Sequence, residues 1–126
     1  MIRRDWVEFA GKPNRVRRDV PRVTLNKKCI FLLNKAAFDA LGEPEAVKIF
    51  YDKRNNAIGL GKADMEQDNA FPVKQKDKYS NRVICASPAC VNFGIRPEKT
   101  IVFNRIEFDH DEIMSLDFDR ATVIGR

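Results

Sequence analysis

The sequence predicts a mostly β, α+β protein made of two similar strand-strand-helix-strand-strand units with one shared core. The 126 residues suffice for one domain of ordinary size. Short apolar runs with the two-residue period of strands are separated by turn signals and by two short helical segments. The same order of elements then occurs twice. With 44% hydrophobic and 33% charged residues, the chain has the composition of a folded protein.

The first unit is predicted to begin with a hairpin. Residues 22–26 alternate between polar and apolar side chains, as a half-buried strand does. Lys27 and Lys28 form the predicted turn. The apolar run at 30–33 has the length of the returning strand.

A short helix and a second hairpin complete the first unit. Asn34 is a suitable N-cap for a helix over residues 35–41, and Gly42 occupies the position at which glycine commonly follows a helix. Residues 46–51 and 58–60 then read as a hairpin, because an Asn-Asn turn signal separates them.

The second unit repeats this order after a polar linker. Ser87 is the predicted N-cap of its helix, with Pro88 at the first helical position and Gly94 after the last turn. Strands are predicted at 71–75 and 82–86 before the helix, and a closing hairpin at 100–103 and 113–118 after it. The predicted organisation is therefore a basic arm (1–21), unit one (22–62), a linker (63–70), unit two (71–119) and a tail (120–126).

The repeated order favours an internal duplication, because half of such a unit cannot bury its sheet face alone. Asn34 corresponds to Ser87 and Leu41-Gly42 to Phe93-Gly94, with one inserted residue at Ile95. Two unrelated α+β stretches remain the alternative.

Positive charge is concentrated near the N-terminus. Of the net charge of +5, residues 1–22 hold an excess of four, with seven basic and three acidic side chains. Clustered cations gain affinity for nucleic acids by releasing condensed counterions. The alternative is a solvated arm that pairs with the acidic C-terminal strands. The candidate nucleic-acid-binding residues are Arg15, Arg17, Arg18, Arg22, Lys27 and Lys28.

No constellation typical of an active site or cofactor site is present in the sequence. A single histidine, His110, lies beside acids at a predicted surface turn, where consecutive side chains point in different directions. We therefore expect a non-enzymatic protein without metal or cofactor. Cys29, Cys85 and Cys90 are expected to be reduced and buried. Trp6 and Phe9 suit either stacking on bases or, more commonly, anchoring the terminal segment on the core.

The first unit resembles the AbrB/MazE/SpoVT swapped-hairpin family over residues 22–62. The resemblance is carried by the stretch Asn26-Lys27-Lys28-Cys29-Ile30-Phe31-Leu32-Leu33-Asn34-Lys35, the helix end Ala40-Leu41-Gly42 and the strand at 47–52. In that family two such units interlock into a small barrel that binds DNA. The resemblance thus implies a barrel and a DNA-binding regulator, either as a monomeric pseudo-dimer or as a homodimer.

Four positions depart from the family's pattern. Cys29-Ile30 stands where the family usually has glycine-arginine, Asn34 where it has proline, and Phe38 where the helix carries an arginine. These departures remove arginines that would contact phosphates and guanine edges. A protein-binding or structural module that keeps the fold is therefore the alternative function. The expected partner is double-stranded DNA or a protein.

No segment suggests a membrane or a secretory pathway. The longest apolar runs are far shorter than the roughly 20 residues of a membrane helix. The N-terminal residues lack the apolar core of a signal peptide. We expect a cytoplasmic protein.

Overall fold

The computed structural model describes residues 5–8, 20–76 and 81–124. Within them the chain is a mostly β, α+β protein with two antiparallel sheets and two helices. The elements are β1 (Val23–Leu25), β2 (Ile30–Leu33), α1 (Lys35–Ala40), β3 (Ala46–Asp52), β4 (Ala57–Ala63), β5 (Phe71–Pro72), β6 (Lys74–Gln75), β7 (Arg82–Cys85), α2 (Ser87–Phe93), β8 (Thr100–Phe103), β9 (Ile106–Phe108), β10 (Met114–Asp117) and β11 (Ala121–Ile124).

The described strands divide between two sheets. Sheet A has the order β11-β8-β1-β2-β7-β6, and sheet B has the order β5-β3-β4-β10-β9. The predicted closed barrel is therefore wrong for the described residues. The predicted strand at 71–75 is interrupted at Val73, whose N–H donates to the carbonyl of Glu45 at 2.9 Å. The strand consequently pairs with β3 before Val73 and with β7 after it.

One apolar core lies between the sheets. Phe31 of β2 and Ile84 of β7 are paired and fully buried, and sheet B contributes Leu60, Met114 and Leu116. Alternate residues along these strands point inward, since side chains of a strand alternate between its faces. Both predicted units thus contribute to the same core.

The two helices end in the same way. Gly42 and Gly94 have positive φ angles of 91° and 71°, the left-handed conformation that glycine adopts without strain. After α1, the N–H of Glu43 donates to the carbonyl of Phe38 at 3.0 Å; after α2, the N–H of Ile95 donates to that of Cys90 at 2.8 Å. Both are Schellman ends, which satisfy carbonyl groups of the last helical turn.

The helices begin differently. Asn34 is the N-cap of α1, as predicted, and its side chain accepts from the N–H of Ala37. Ser87 was the predicted N-cap of α2, but the N-cap is Ala86, and no side-chain hydrogen bond caps this helix. The prediction is wrong by one residue because Ser87 already lies in the first turn, ahead of Pro88.

The predicted pairing of the last strands is also wrong. β10 pairs with β9 and β4, whereas β8 pairs with β1 and β11. The chain leaves sheet A after Phe103 and enters sheet B at Ile106, so the hairpin partner of β10 is the short strand β9. Residues 121–124, assigned to a tail, form β11 after a 3₁₀ turn at Phe118–Arg120.

The predicted burial of the cysteines is correct in part. Cys29 and Cys90 are buried, but Cys85 is exposed because it follows the inward-facing Ile84 in β7 and therefore points outward. No helix among the described residues is long and apolar enough to span a bilayer.

Candidate nucleic-acid interface

Asn34 fixes the chain at the start of β1. Its Oδ1 accepts from the N–H groups of Arg22 and Ala37, each at 2.9 Å, and its Nδ2 donates to the carbonyl of Val20 at 2.8 Å. The N–H of Asn34 also donates to the carbonyl of Arg22 at 3.1 Å. The backbone that carries Arg22 is thus held against the first turn of α1, while the Arg22 side chain is exposed.

One row of paired residues crosses all six strands of sheet A at this end. It runs in register through Ala121, Phe103, Val23, Leu33, Arg82 and Gln75. At each strand a basic residue lies in this row or within two chain positions of it; Arg82 is inside its strand, and the other five follow or precede the strand ends. We call this set the basic rim, and its members are Arg120, Arg105, Arg22, Lys35, Arg82 and Lys76.

Three members of the basic rim have local partners. Lys35 Nζ lies 2.7 Å from a carboxylate oxygen of Asp39, and Arg120 Nε lies 3.7 Å from one of Asp117. The hydrogen bond with Asp39 raises the pKa of Lys35, which therefore stays charged. Exposed pairs of this kind are weak because solvent screens them, so a phosphate can replace the carboxylate.

The third is Arg82, whose guanidinium carbon lies 4.3 Å from the centre of the Phe38 ring. This cation–π contact holds the arginine of unit two on the helix of unit one. Within the described residues, Arg22, Lys76 and Arg105 form no ion pair, so their charges face solvent.

The predicted binding residues are only partly brought together. Arg22 lies in the basic rim, but Lys27 and Lys28 occupy the β1–β2 turn at the opposite end of β1. At about 3.3 Å per residue, this places them roughly 15 Å from Arg22. Arg15, Arg17 and Arg18 lie outside the described residues.

Sequence reasoning missed the other five members of the basic rim. They are scattered over 86 positions from Lys35 to Arg120, and no local pattern links them. Only the strand register brings them to one border. The alternative, pairing of the basic arm with the acidic C-terminal strands, concerns mostly residues outside the described part of the chain; Arg22, which is described, forms no ion pair with a described residue.

The β1–β2 turn at the opposite end is shaped by Asn26 and Cys29. Asn26 Oδ1 accepts from the N–H groups of Lys28 and Ile30 at 2.9 and 3.0 Å. Cys29 has a φ of 62°, a left-handed backbone conformation that residues other than glycine rarely adopt. Its carbonyl accepts from the N–H of Ala86 at 2.9 Å, which attaches this turn to the start of α2.

The buried thiols of Cys29 and Cys90 lie next to each other at this turn. Burial raises the pKa of the Cys90 thiol to about 12, and the adjacent Cys29 adds to the shift. Cys90 is therefore a neutral packing residue at physiological pH and a poor nucleophile.

The other residues singled out in the sequence form no catalytic or metal-binding arrangement in the described structure. Asp109 Oδ1 accepts from the N–H groups of Asp111 and Ile113 and so shapes the β9–β10 turn. No group of three or more His, Cys, Asp or Glu side chains converges on a metal position within the described residues. Trp6 is 85% exposed, so the predicted anchoring on the core is wrong for this residue. Its predicted companion, Phe9, lies outside the described residues.

Comparison of the chain with protein-family models, with curated proteins and with solved structures gives no match. The functional assignment therefore depends on the geometry described above.

Proposed function

We propose that this protein is a non-enzymatic DNA-binding regulator that contacts the duplex through the basic rim. The observation that carries the proposal is the register of sheet A, which gives every one of its six strands a cation at the same border. These cations meet at one border because the strands of sheet A pair in this register, and not because they are neighbours in the sequence.

The dimensions of the rim suit a phosphate backbone. Six strands spaced about 4.8 Å apart extend over roughly 24 Å. The phosphates of one DNA strand recur about every 3.4 Å along the helix axis, so a line of this length faces several of them. Asn34 fixes the backbone of Arg22, and the Phe38 ring positions the guanidinium of Arg82. Part of the conformational entropy that DNA binding would cost is therefore already lost in the free protein.

Three features support the AbrB-like interpretation of the fold. The left-handed conformation of Cys29 is the one that suits glycine, which the family usually has there. The strand that follows the helix of each unit pairs with the first strand of the other unit, β3 with β5 and β8 with β1, as interlocked units would. In addition, Arg82 places a guanidinium on Phe38, the helix position at which the family usually carries an arginine.

Fluorescence anisotropy with a labelled random-sequence duplex across a salt titration tests the proposal. We expect log affinity to fall linearly with log salt. The double variant Arg22→Ala/Arg105→Ala should reduce the slope by about 0.9 for each phosphate that the variant no longer neutralises. Lys27→Ala/Lys28→Ala removes the same charge at the opposite end of β1, and Lys53→Ala/Arg54→Ala removes it from the β3–β4 turn.

If both control variants keep the wild-type dependence of log affinity on log salt, DNA binding through the basic rim is supported. Negligible binding of the wild type at low salt would refute DNA binding. An equal reduction of slope in all three variants would mean that net charge, and not the rim, governs the interaction.

The alternative function, a protein-binding module, is favoured by a different observation. Phe50 and Phe108 are 44% and 41% exposed and line the same groove beside sheet B. Exposed aromatic side chains in a groove are typical of protein contact sites.

A further inference from the structure

The edge strands of the two sheets differ in how well they are protected against pairing with another strand. Within the described residues, sheet A ends at β6 and β11, and sheet B ends at β5 and β9. β5 and β6 have two residues each and contain Pro72 and Lys74, and the three-residue β9 contains Glu107. Short length, proline and charge keep edge strands from associating. β11 lacks all three forms of protection, because its four residues, Ala121–Ile124, are uncharged and include no proline.

The alternation of hydrogen bonds in sheet A shows which backbone groups of β11 face outward. Antiparallel pairs alternate between hydrogen-bonded and non-hydrogen-bonded positions. The bond from the N–H of Asn26 to the carbonyl of Ile30, at 3.2 Å, fixes this alternation, and the register carries it through β1 and β8 to β11. Thr122 and Ile124 consequently bond to β8, whereas the N–H and carbonyl groups of Val123 point away from it. Among the described residues, no backbone group pairs with these two groups.

The side chain of Val123 is the exposed end of an otherwise shielded apolar row. The row crosses sheet A in register through Ile84, Phe31, Leu25, Ile101 and Val123. Residues in register point to the same face, and Phe31 and Leu25 place this row on the face that carries the core. Both are fully buried, but Val123 is 61% exposed. The core-facing row therefore ends in an apolar side chain that one further strand would cover.

The strand that fits this edge is uncharged and places apolar residues on the core-facing side. β11 offers no charge with which a charged strand could pair, and a charge beside the core would lose its hydration. Of the four described edges, β6 and β9 each bring a charged side chain, and the proline of β5 has no N–H to donate. β11 itself meets both conditions, since Ala121 and Val123 lie on the core-facing side. The best complement to β11 that this chain offers is thus another β11.

We propose that β11 pairs antiparallel with β11 of a second copy of this chain, so that sheet A continues across a twofold axis into the second molecule. The outward N–H and carbonyl groups of Val123 bond to the second strand, and its side chain packs beside the core-facing residues of that strand. Antiparallel pairing also places the two copies of Arg120 at opposite ends of the paired strands. The basic rim stays open, because it lies along the strand ends of sheet A and not along its edge.

The dimer is expected to be weak. Two strands of four residues cover much less than the roughly 1,200 Å² of a stable interface. Monomer and dimer should therefore exchange in the concentration range from micromolar to millimolar, where both can be measured.

Hydrogen exchange of the backbone amides of the full chain, followed by NMR across this concentration range, tests the proposal. When about nine tenths of the chains are dimeric, the Val123 amide should exchange about tenfold more slowly than in the monomer, because only the monomer exposes it. The Thr122 amide is the internal control, because it bonds to β8 in monomer and dimer alike. Sedimentation equilibrium should show a monomer–dimer equilibrium over the same range.

Two substitutions at Val123 should abolish the association. Val123→Lys brings two ammonium groups together at the edge, and Val123→Pro removes the outward N–H without adding charge. Val91→Lys is the matched control, since it makes the same change at a 76% exposed position of α2. It should leave the monomer–dimer equilibrium unaltered.

Three results would overturn the proposal. The first is a chain that stays monomeric at millimolar concentration. The second is exchange of the Val123 amide that does not depend on concentration; uniform protection would mean that β11 pairs within one chain. The third is a dimer that Val91→Lys weakens as much as Val123→Lys does. DNA binding by the basic rim is measured separately, and neither result determines the other.

Discussion

The two ends of strand β1 are both basic, but they are constructed differently. At one end, Asn34 holds Arg22 through exposed backbone and side-chain hydrogen bonds. At the other, Lys27 and Lys28 lie on a turn that is attached to α2 through the carbonyl and the buried sulfur of Cys29. Only the Arg22 end coincides with a border at which every strand of sheet A carries a cation. Charges that are neighbours in sequence are therefore separated by a strand, and charges distant in sequence are assembled by register.

The largest expected effect concerns the buried thiols at the Lys27–Lys28 end. The pKa of Cys90 is raised from 9.0 to about 12, so the neutral thiol is favoured in the folded state. The stability that the neutral Cys90 thiol contributes is fully present below the pKa of this thiol in the unfolded state. It is lost as the pH rises through the pKa of the thiol in the folded state. The loss should amount to about 1.4 kcal/mol for each pH unit in that interval.

Urea unfolding of the wild type and of Cys90→Ala, at neutral pH and midway between pH 9 and pH 12, measures this effect. The stability difference between the two proteins should become smaller, or change sign, at the higher pH. A difference that is independent of pH would contradict the burial of a neutral thiol.

The asparagines of the two ends should differ in their contribution to stability. Asn34→Ala removes a helix cap and two further side-chain hydrogen bonds, with an expected cost of about 2 kcal/mol. Asn26→Ala removes two hydrogen bonds within the turn, with an expected cost of about 1 kcal/mol. Chemical denaturation of both variants gives the comparison. An equal or larger cost for Asn26→Ala would show that the Arg22 end is not the more firmly held.

The conformation of Cys29 predicts the smallest effect. Cys29→Gly and Cys29→Ala both remove the sulfur, but only glycine adopts a φ of 62° without strain. We expect the glycine variant to be more stable than the alanine variant by about 1 kcal/mol in thermal or urea unfolding. A more stable alanine variant would mean that the turn does not adopt this conformation in solution.

Local signals in the sequence predicted the local structure well. The N-cap role of Asn34, the end of α1 before Gly42 and the strand of residues 30–33 all follow from interactions between near neighbours. The exposure of Cys85 could have been predicted too, because strand alternation puts it opposite to Ile84.

The pairing of strands that are distant in the sequence was harder to predict from the sequence. The partner of β10 and the division of the strands between two sheets depend on contacts between distant segments. The basic rim depends on the same pairing, because Arg105 and Arg120 reach Arg22 only through β8 and β11. Composition indicated a basic protein, but the register decides where its cations meet.

The most direct test of the rim is a map of backbone amide chemical-shift changes when unlabelled DNA duplex is added to the isotope-labelled protein. We predict that the largest changes occur at Arg22, Asn34, Lys76 and Arg105, along the border of sheet A, and that Lys27 and Lys28 change little. Changes confined to the β1–β2 turn, or the absence of changes anywhere in sheet A, would contradict DNA binding by the basic rim.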